Sequence, residues 1–204
     1  MNAIRSRIRA ASPEAGFSLI EVVVAMVILG VLTTASLGLY ITSLNSASTI
    51  QRREIAVTIA SQQMELVAAT PASALYQGRS QAAVLAQWAA NLTVTGANQT
   101  VSTWDTTIPL PSTVAIPLSR SVSLSGTNFT VTTLIGTCFQ GIAGTTAGGN
   151  CTRGVGPAAS LASLERVMVI VRWTAGDTCG DGSCVYETST LIDTHTDQQW
   201  RSRV

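Results

Sequence analysis

Glu21 is a carboxylate set against an apolar run of 20 residues, Val22 to Ile41. An ionisable group at the edge of such a segment costs free energy and is a functional residue by default. The other groups able to do chemistry lie far downstream. Cys138, Cys151, Cys179 and Cys184 can form disulfides, ligate a soft metal or remain thiols. Four cysteines allow three pairings; the local one, Cys138 with Cys151 and Cys179 with Cys184, closes loops of roughly 14 and 6 residues. A zinc site of four cysteines uses two C-x₂₋₄-C knuckles, and the Cys138–Cys151 spacing is not one. Asp177 and Asp181-Gly182 flank Cys179 but fit no EF-hand loop, so they read as turn residues. His195 is the sole histidine and sits in a polar tail. No Ser-His-Asp, Cys-His or paired-carboxylate arrangement can be argued from these residues, so the sequence offers no catalytic residue, metal site or cofactor. Asn91, Asn98, Asn128 and Asn150 each begin N-x-Thr, a coincidence expected in a Thr-rich chain.

Composition narrows the class further. The chain has 204 residues, 12 of them Arg and none Lys, against 11 acids, for a net charge of +1. Charged residues make up 11%, where an average soluble domain has about 25%. This excludes a charged disordered tail and a basic nucleic-acid binder. Residues 72–204 hold seven Arg and seven acids, and only Arg201 and Arg203 cluster. Neutralising phosphates takes a basic patch, so no nucleic-acid binding by this chain alone is expected.

The run from Val22 to Ile41 is the one stretch long enough to cross a bilayer, spanning about 30 Å as a helix. Eleven of its 20 residues are Val, Ile or Leu, which favours insertion by about 3–7 kcal/mol. Thr33, Thr34, Ser36, Gly30 and Gly38 weaken it. Arg5, Arg7 and Arg9 precede it, and the next charges are Arg52, Arg53 and Glu54. The positive-inside rule therefore leaves the N-terminus in the cytoplasm and sends the rest out. A secretory signal has its small residues after the apolar run; here they come before it, and no A-x-A site follows Ile41.

Gly16-Phe17-Ser18-Leu19-Ile20-Glu21, after a short basic leader and before an apolar helix, resembles the processing site of type IV prepilins and type II secretion pseudopilins at every position. The resemblance is close over residues 1–70 and architectural beyond, where a Val-rich strand ending in Trp173 resembles PilV-type minor pilins. It implies that a prepilin peptidase of the inner membrane cuts between Gly16 and Phe17 and N-methylates Phe17. It also implies that Glu21 guides assembly by meeting the Phe17 amine of a neighbouring subunit. The implied partners are that peptidase, other pilins in a helical filament, the inner-membrane assembly platform and the membrane. The implied location is the bacterial inner membrane, single-pass with the head in the periplasm, before assembly, and a pilus or the cell surface afterwards. The chain is then a minor type IV pilin-like structural subunit and not an enzyme. A minor pseudopilin of type II secretion shares every motif, and a tip adhesin or DNA receptor would carry its surface on loop 138–164.

The expected fold class is α+β, the type IV pilin fold: a long N-terminal transmembrane helix packed on a C-terminal antiparallel sheet head. Residues 1–16 are the leader, 17–70 the helix (transmembrane over 22–41, amphipathic over 42–70) and 71–204 the head. In the helix, Leu44, Ile55, Ile59 and Leu66 form one apolar stripe, and Ile50, Val57, Ala60, Met64 and Val67 another roughly opposite. Pro71 stops the helix. Ser80 caps a short helix through Leu92, with Val84, Leu85, Trp88 and Leu92 on one side. Residues 93–118 read as loop. Strands are expected over Arg120–Ser125 and Phe129–Ile135 about a Gly126-Thr127-Asn128 turn, then Arg166–Thr174 and Cys184–Ile192. Cys138 to Leu164 reads as loop, and the helices are expected on one face of the sheet.

Overall fold

The computed structural model describes residues 18–141, 151–154, 161–174, 179 and 182–193. Helix α1 runs Leu19–Ala69 and stays helical through Gly38. The chain divides into two compact units, Met1–Ser48 and Thr49–Val204. In the first, the described residues are helical from Leu19 on and expose their side chains throughout. Among its described residues the second unit carries the last part of α1, a short helix α2 (Gln81–Ala89) and five antiparallel strands. The strands are β1 (Val101–Ser102), β2 (Ser119–Leu124), β3 (Thr127–Gly141), β4 (Leu161–Thr174) and β5 (Ser183–Asp193). A long apolar helix followed by an antiparallel sheet is the architecture of the type IV pilin fold.

Ser80 caps α2, its Oγ accepting the Ala83 N–H at 3.4 Å. The helix ends at Ala89, short of Leu92. Val84 and Trp88 are buried, but Leu85 and Leu92 are 45% and 61% exposed, so half of the expected stripe faces outward. The sequence 93–118 is not all loop: a 3₁₀ turn at Ala97–Gln99 leads into β1, which pairs with β3 at Gly136 and Thr137. The hairpin turn is tighter than expected. Leu124 pairs with Thr127, leaving Ser125 and Gly126, both at positive φ (50° and 73°), as the two turn residues. Two left-handed residues match the twist of the flanking strands, whereas a three-residue turn would have shifted the register.

β3 does not stop at Ile135. It continues to Gly141 in register with β4, from Phe129↔Trp173 to Gly141↔Leu161, so Cys138 lies on a strand and not in a loop. β4 in turn pairs with β5 from Leu164↔Asp193 to Thr174↔Ser183.

Helices cover both faces of this sheet, not one. Odd-numbered residues of β3 and β4 (Phe129, Val131, Ile135, Val167, Val169, Val171, Trp173) pack with Ala56, Ile59, Ala60 and Val67 of α1. Even-numbered Leu134, Met168 and Ile170 pack with Val84 and Trp88 of α2, together with Val94 and Ala97. The unbroken apolar run from Val167 to Val171 follows from this, because a strand buried on both sides loses its alternation. On α1 the buried line is Ala56, Ile59, Ala60, Gln63 and Val67. It takes members from both expected stripes, because alanines at 56 and 60 present the small surface along which the helix meets the sheet. Leu44, Ile50 and Leu66 remain exposed.

Close packing singles out Gly136. A Cβ there would collide with the Val101 carbonyl oxygen, and with Thr100 Cγ2 and Trp88 Cζ2 at 2.8 and 3.0 Å. Gly136→Ala is expected to destabilise the head by about 1–3 kcal/mol through overpacking, read as a lowered denaturant midpoint at constant slope.

Candidate functional site

Glu21 lies in the first turn of α1, where its N–H donates to the Ser18 carbonyl at 2.9 Å. Free N–H groups at a helix N-terminus carry partial positive charge, so a carboxylate is favoured there. From Leu19 to Ile41 every side chain is exposed in the isolated chain, the large apolar ones included. Mean hydropathy reaches 2.4 in an 18-residue window of α1. The hydroxyls that weaken the run, and that of Thr42 just past it, are satisfied locally. Thr33 donates to the Leu29 carbonyl at 2.7 Å, Ser36 to Leu32 at 2.8 Å and Thr42 to Gly38 at 3.0 Å, and Thr34 serves Gly30 and Val31. A hydroxyl bonded to its own helix presents no unsatisfied polar group to lipid or to a neighbouring helix. Gly16 and Phe17, the expected cleavage and methylation residues, lie outside the described residues, as do His195, Asp177, Asp181, Arg201 and Arg203.

The structure joins Cys138 to Cys151 and Cys179 to Cys184, each with Cα atoms 5.3 Å apart. Among the described residues no cysteine is free and no group of three His, Cys, Asp or Glu could hold a metal. The first bridge is buried. It holds residues 151–154 beside β3, where Phe139 and Thr152 exchange backbone hydrogen bonds at 2.7 and 2.9 Å.

The head uses its few arginines in a way sequence reading missed. Four of them donate to neutral oxygens. Arg120 Nε reaches Gln63 Oε1 at 2.9 Å, tying β2 to α1. Arg166 reaches the Gly96 and Cys151 carbonyls at 3.0 and 2.9 Å, tying β4 to two loops. Arg172 reaches Asn91 Oδ1 at 2.7 Å. Arg79 is the most buried, 1% exposed, and donates to the Thr133 carbonyl. That carbonyl lies in a gap: β2 pairs with β3 up to Thr132 and β1 resumes only at Gly136. Thr133 N–H finds the Leu118 carbonyl, and the guanidinium supplies what the missing ladder does not. Burial lowers the Arg79 pKa to about 10. The one available signal was an Arg in a connector of a chain with so few charges.

Beside it, burial and then Glu165 push the Tyr76 hydroxyl upward in pKa. Glu165 accepts from Thr137 Oγ1, which also meets Thr103 Oγ1 at 3.1 Å. On the surface Asp105 clamps a loop, accepting the Gly78 and Thr107 N–H groups at 2.8 Å each. Hydrogen bonds from the Thr107 side chain, the Gly78 N–H and the Thr107 N–H hold its pKa below the usual carboxylate value. A depressed folded-state pKa means the clamp is complete above the unfolded value of about 3.9 and is lost as pH falls through the folded one. Amide protection at Gly78 and Thr107 is expected to vanish in that acid window, and at every pH in Asp105→Ala. Protection that persists in the variant contradicts the clamp. The arginine clamps meet acceptors that do not titrate and are expected to persist there.

Residues 12–37 match the family model described as the prokaryotic N-terminal methylation motif. No curated protein and no solved structure matches the chain. The motif covers Gly16-Phe17, Glu21 and most of the apolar run, and it implies processing by a prepilin peptidase and assembly with other pilins. With the apolar helix and the antiparallel head, it supports the type IV pilin and pseudopilin family, suits a membrane-anchored pilin and points to a structural subunit.

Proposed function

We propose that this chain is a minor subunit of a type IV pilus, made as an inner-membrane precursor with its head in the periplasm and then drawn into a fibre. The observation that carries the reading is the methylation motif at the head of an exposed apolar helix. Cutting between Gly16 and Phe17 creates an amine at the end of that helix. In a packed, low-dielectric fibre core an unpaired amine is costly. Glu21 of a neighbouring subunit neutralises it, and the pair is attractive because either charge alone would be stranded. The span leaves lipid because helix–helix van der Waals packing replaces acyl contacts of similar apolarity. The four cysteines act as structural staples of the head, on the oxidising side of the membrane.

The test is intact mass and N-terminal sequencing of the protein from cells with and without the peptidase. The expected product begins at Phe17 and carries one added methyl group; in cells lacking the enzyme residues 1–16 remain. A different N-terminus, or an uncut chain in both strains, removes the reading. Quantitative mass spectrometry of sheared fibres then addresses the minor role: the chain should be present far below the main subunit, and equal abundance refutes it.

A further inference from the structure

We propose that a cleft in the head, between the connector after α1 and the loop after β1, binds a neutral saccharide. The cleft has a volume of about 550 Å³ and is lined by Ser73, Tyr76, Gln77, Trp104, Asp105 and Thr106, among others. That volume lies in the range of small-molecule sites. The chain has only ten aromatic residues, three Phe, four Trp and three Tyr, and two of them line this one cleft without being fully buried.

Each aromatic wall is anchored in a different core. Tyr76 packs against the cluster shared with α1, and Trp104 against the cluster shared with α2. The loop between them is held in shape before any ligand arrives. Asp105 N–H donates to the Arg79 carbonyl at 3.0 Å, and its carboxylate takes the Gly78 and Thr107 N–H groups. A site ordered in advance spends little entropy on binding.

The chemistry selects the ligand. Asp105 accepts, Gln77 accepts and donates, and Ser73 and Thr106 do both. The two carboxylate oxygens offer about four lone-pair sites, and the loop takes three of them through Gly78 N–H, Thr107 N–H and the Thr107 side chain, leaving one for a ligand hydroxyl. Polyol hydroxyls match this set, and the C–H face of a sugar ring suits Tyr and Trp, whose rings are apolar with a polar handle. Among the described residues no Arg, Lys or His lines the cleft. Arg79, nearby in sequence, is not among the lining residues: it is buried, with Nη2 donating to the Thr133 carbonyl. An anionic sugar would therefore meet Asp105 with nothing to balance it, and a lipid tail would meet mostly polar atoms. A proline-rich peptide is the competing occupant of an aromatic cleft. It would leave the hydroxyls and the carboxylate without matched donors.

The test uses the full chain in amine-oxide detergent, which carries no sugar headgroup. Saturation-transfer NMR is run with methyl glycosides of glucose, galactose, mannose and their N-acetylated amino forms, with glucuronic and sialic acid glycosides, and with a proline-rich decapeptide. At least one neutral glycoside should show transfer. Trp104→Ala should abolish it, and Gln77→Ala should weaken it by about threefold to tenfold, one hydrogen bond's effect. Gln77→Ala keeps the question open to test even if loss of Trp104 disturbs folding, because Gln77 belongs to neither core cluster. No transfer from any neutral glycoside, a preference for the acidic sugars, stronger binding of the peptide, or transfer unchanged in both variants each overturns the proposal.

Discussion

Glu21→Ala should yield a chain that inserts, is cut and is methylated, yet is absent from sheared fibres. The span keeps its 20-residue apolar run, and removing a carboxylate from its edge makes insertion easier, not harder. On the proposed reading, what is lost is the partner for the Phe17 amine of the adjoining subunit. In a low-dielectric bundle that amine then stays charged and unpaired, a penalty of about 3–5 kcal/mol when one member of a buried pair is removed. Such a penalty corresponds to a depletion of about two to three and a half orders of magnitude at equilibrium, since each 1.4 kcal/mol is tenfold. Immunoblots of membranes and of sheared fibres, normalised to each other, make the comparison. Wild-type incorporation of the variant would show that Glu21 does not set assembly. Glu21→Gln should resemble alanine, because charge and not shape is the requirement.

The second large effect is expected at the Cys138–Cys151 bridge. Both cysteines are buried, and the bridge closes a loop that holds residues 151–154 against β3. Replacing both by Ser restores chain entropy to the unfolded state, about 3 kcal/mol for a loop near 15 residues. In a domain of this size that lowers Tm by about 6–12 °C. The loss also reaches across the sheet, because Arg166 Nη2 donates to the Cys151 carbonyl and Nη1 to Gly96. Freed from its partner, residue 151 no longer presents that acceptor, and the turn at Ala97–Gln99 loses part of its clamp. Thermal unfolding of the oxidised wild type, the double Ser variant and Arg166→Ala separates the contributions. Cys179→Ser/Cys184→Ser should cost less, because its loop is shorter and Cys179 is only partly buried. An equal Tm for wild type and the 138/151 variant would mean the bridge constrains nothing.

The motif, the apolar span and the α1 boundary at Pro71 are local properties of the chain, and the sequence alone carries them. A helix needs only its own hydrogen bonds and a long enough apolar run, so Leu19–Ala69 is readable without knowing what surrounds it. The same holds for the Ser80 cap and for the cores of β2 to β5. Strand ends were less legible. β3 runs on to Gly141 because β4 is there to pair with it, and no residue between 135 and 141 announces that partner.

What tertiary structure alone decided is the use of the polar residues. Arg79 reads as one more surface charge in a connector, but the break between β2 and β1 leaves the Thr133 carbonyl without a strand, and only a side chain from elsewhere can reach it. Tyr76, Trp104 and Asp105 are 28 or 29 residues apart in sequence at the extremes, and share a cleft because two loops fold against each other. Hydrophobic periodicity is written along one segment and survives translation into structure. A hydrogen bond between distant groups depends on backbone positions that no single segment specifies, so it comes into being only when the sheet closes.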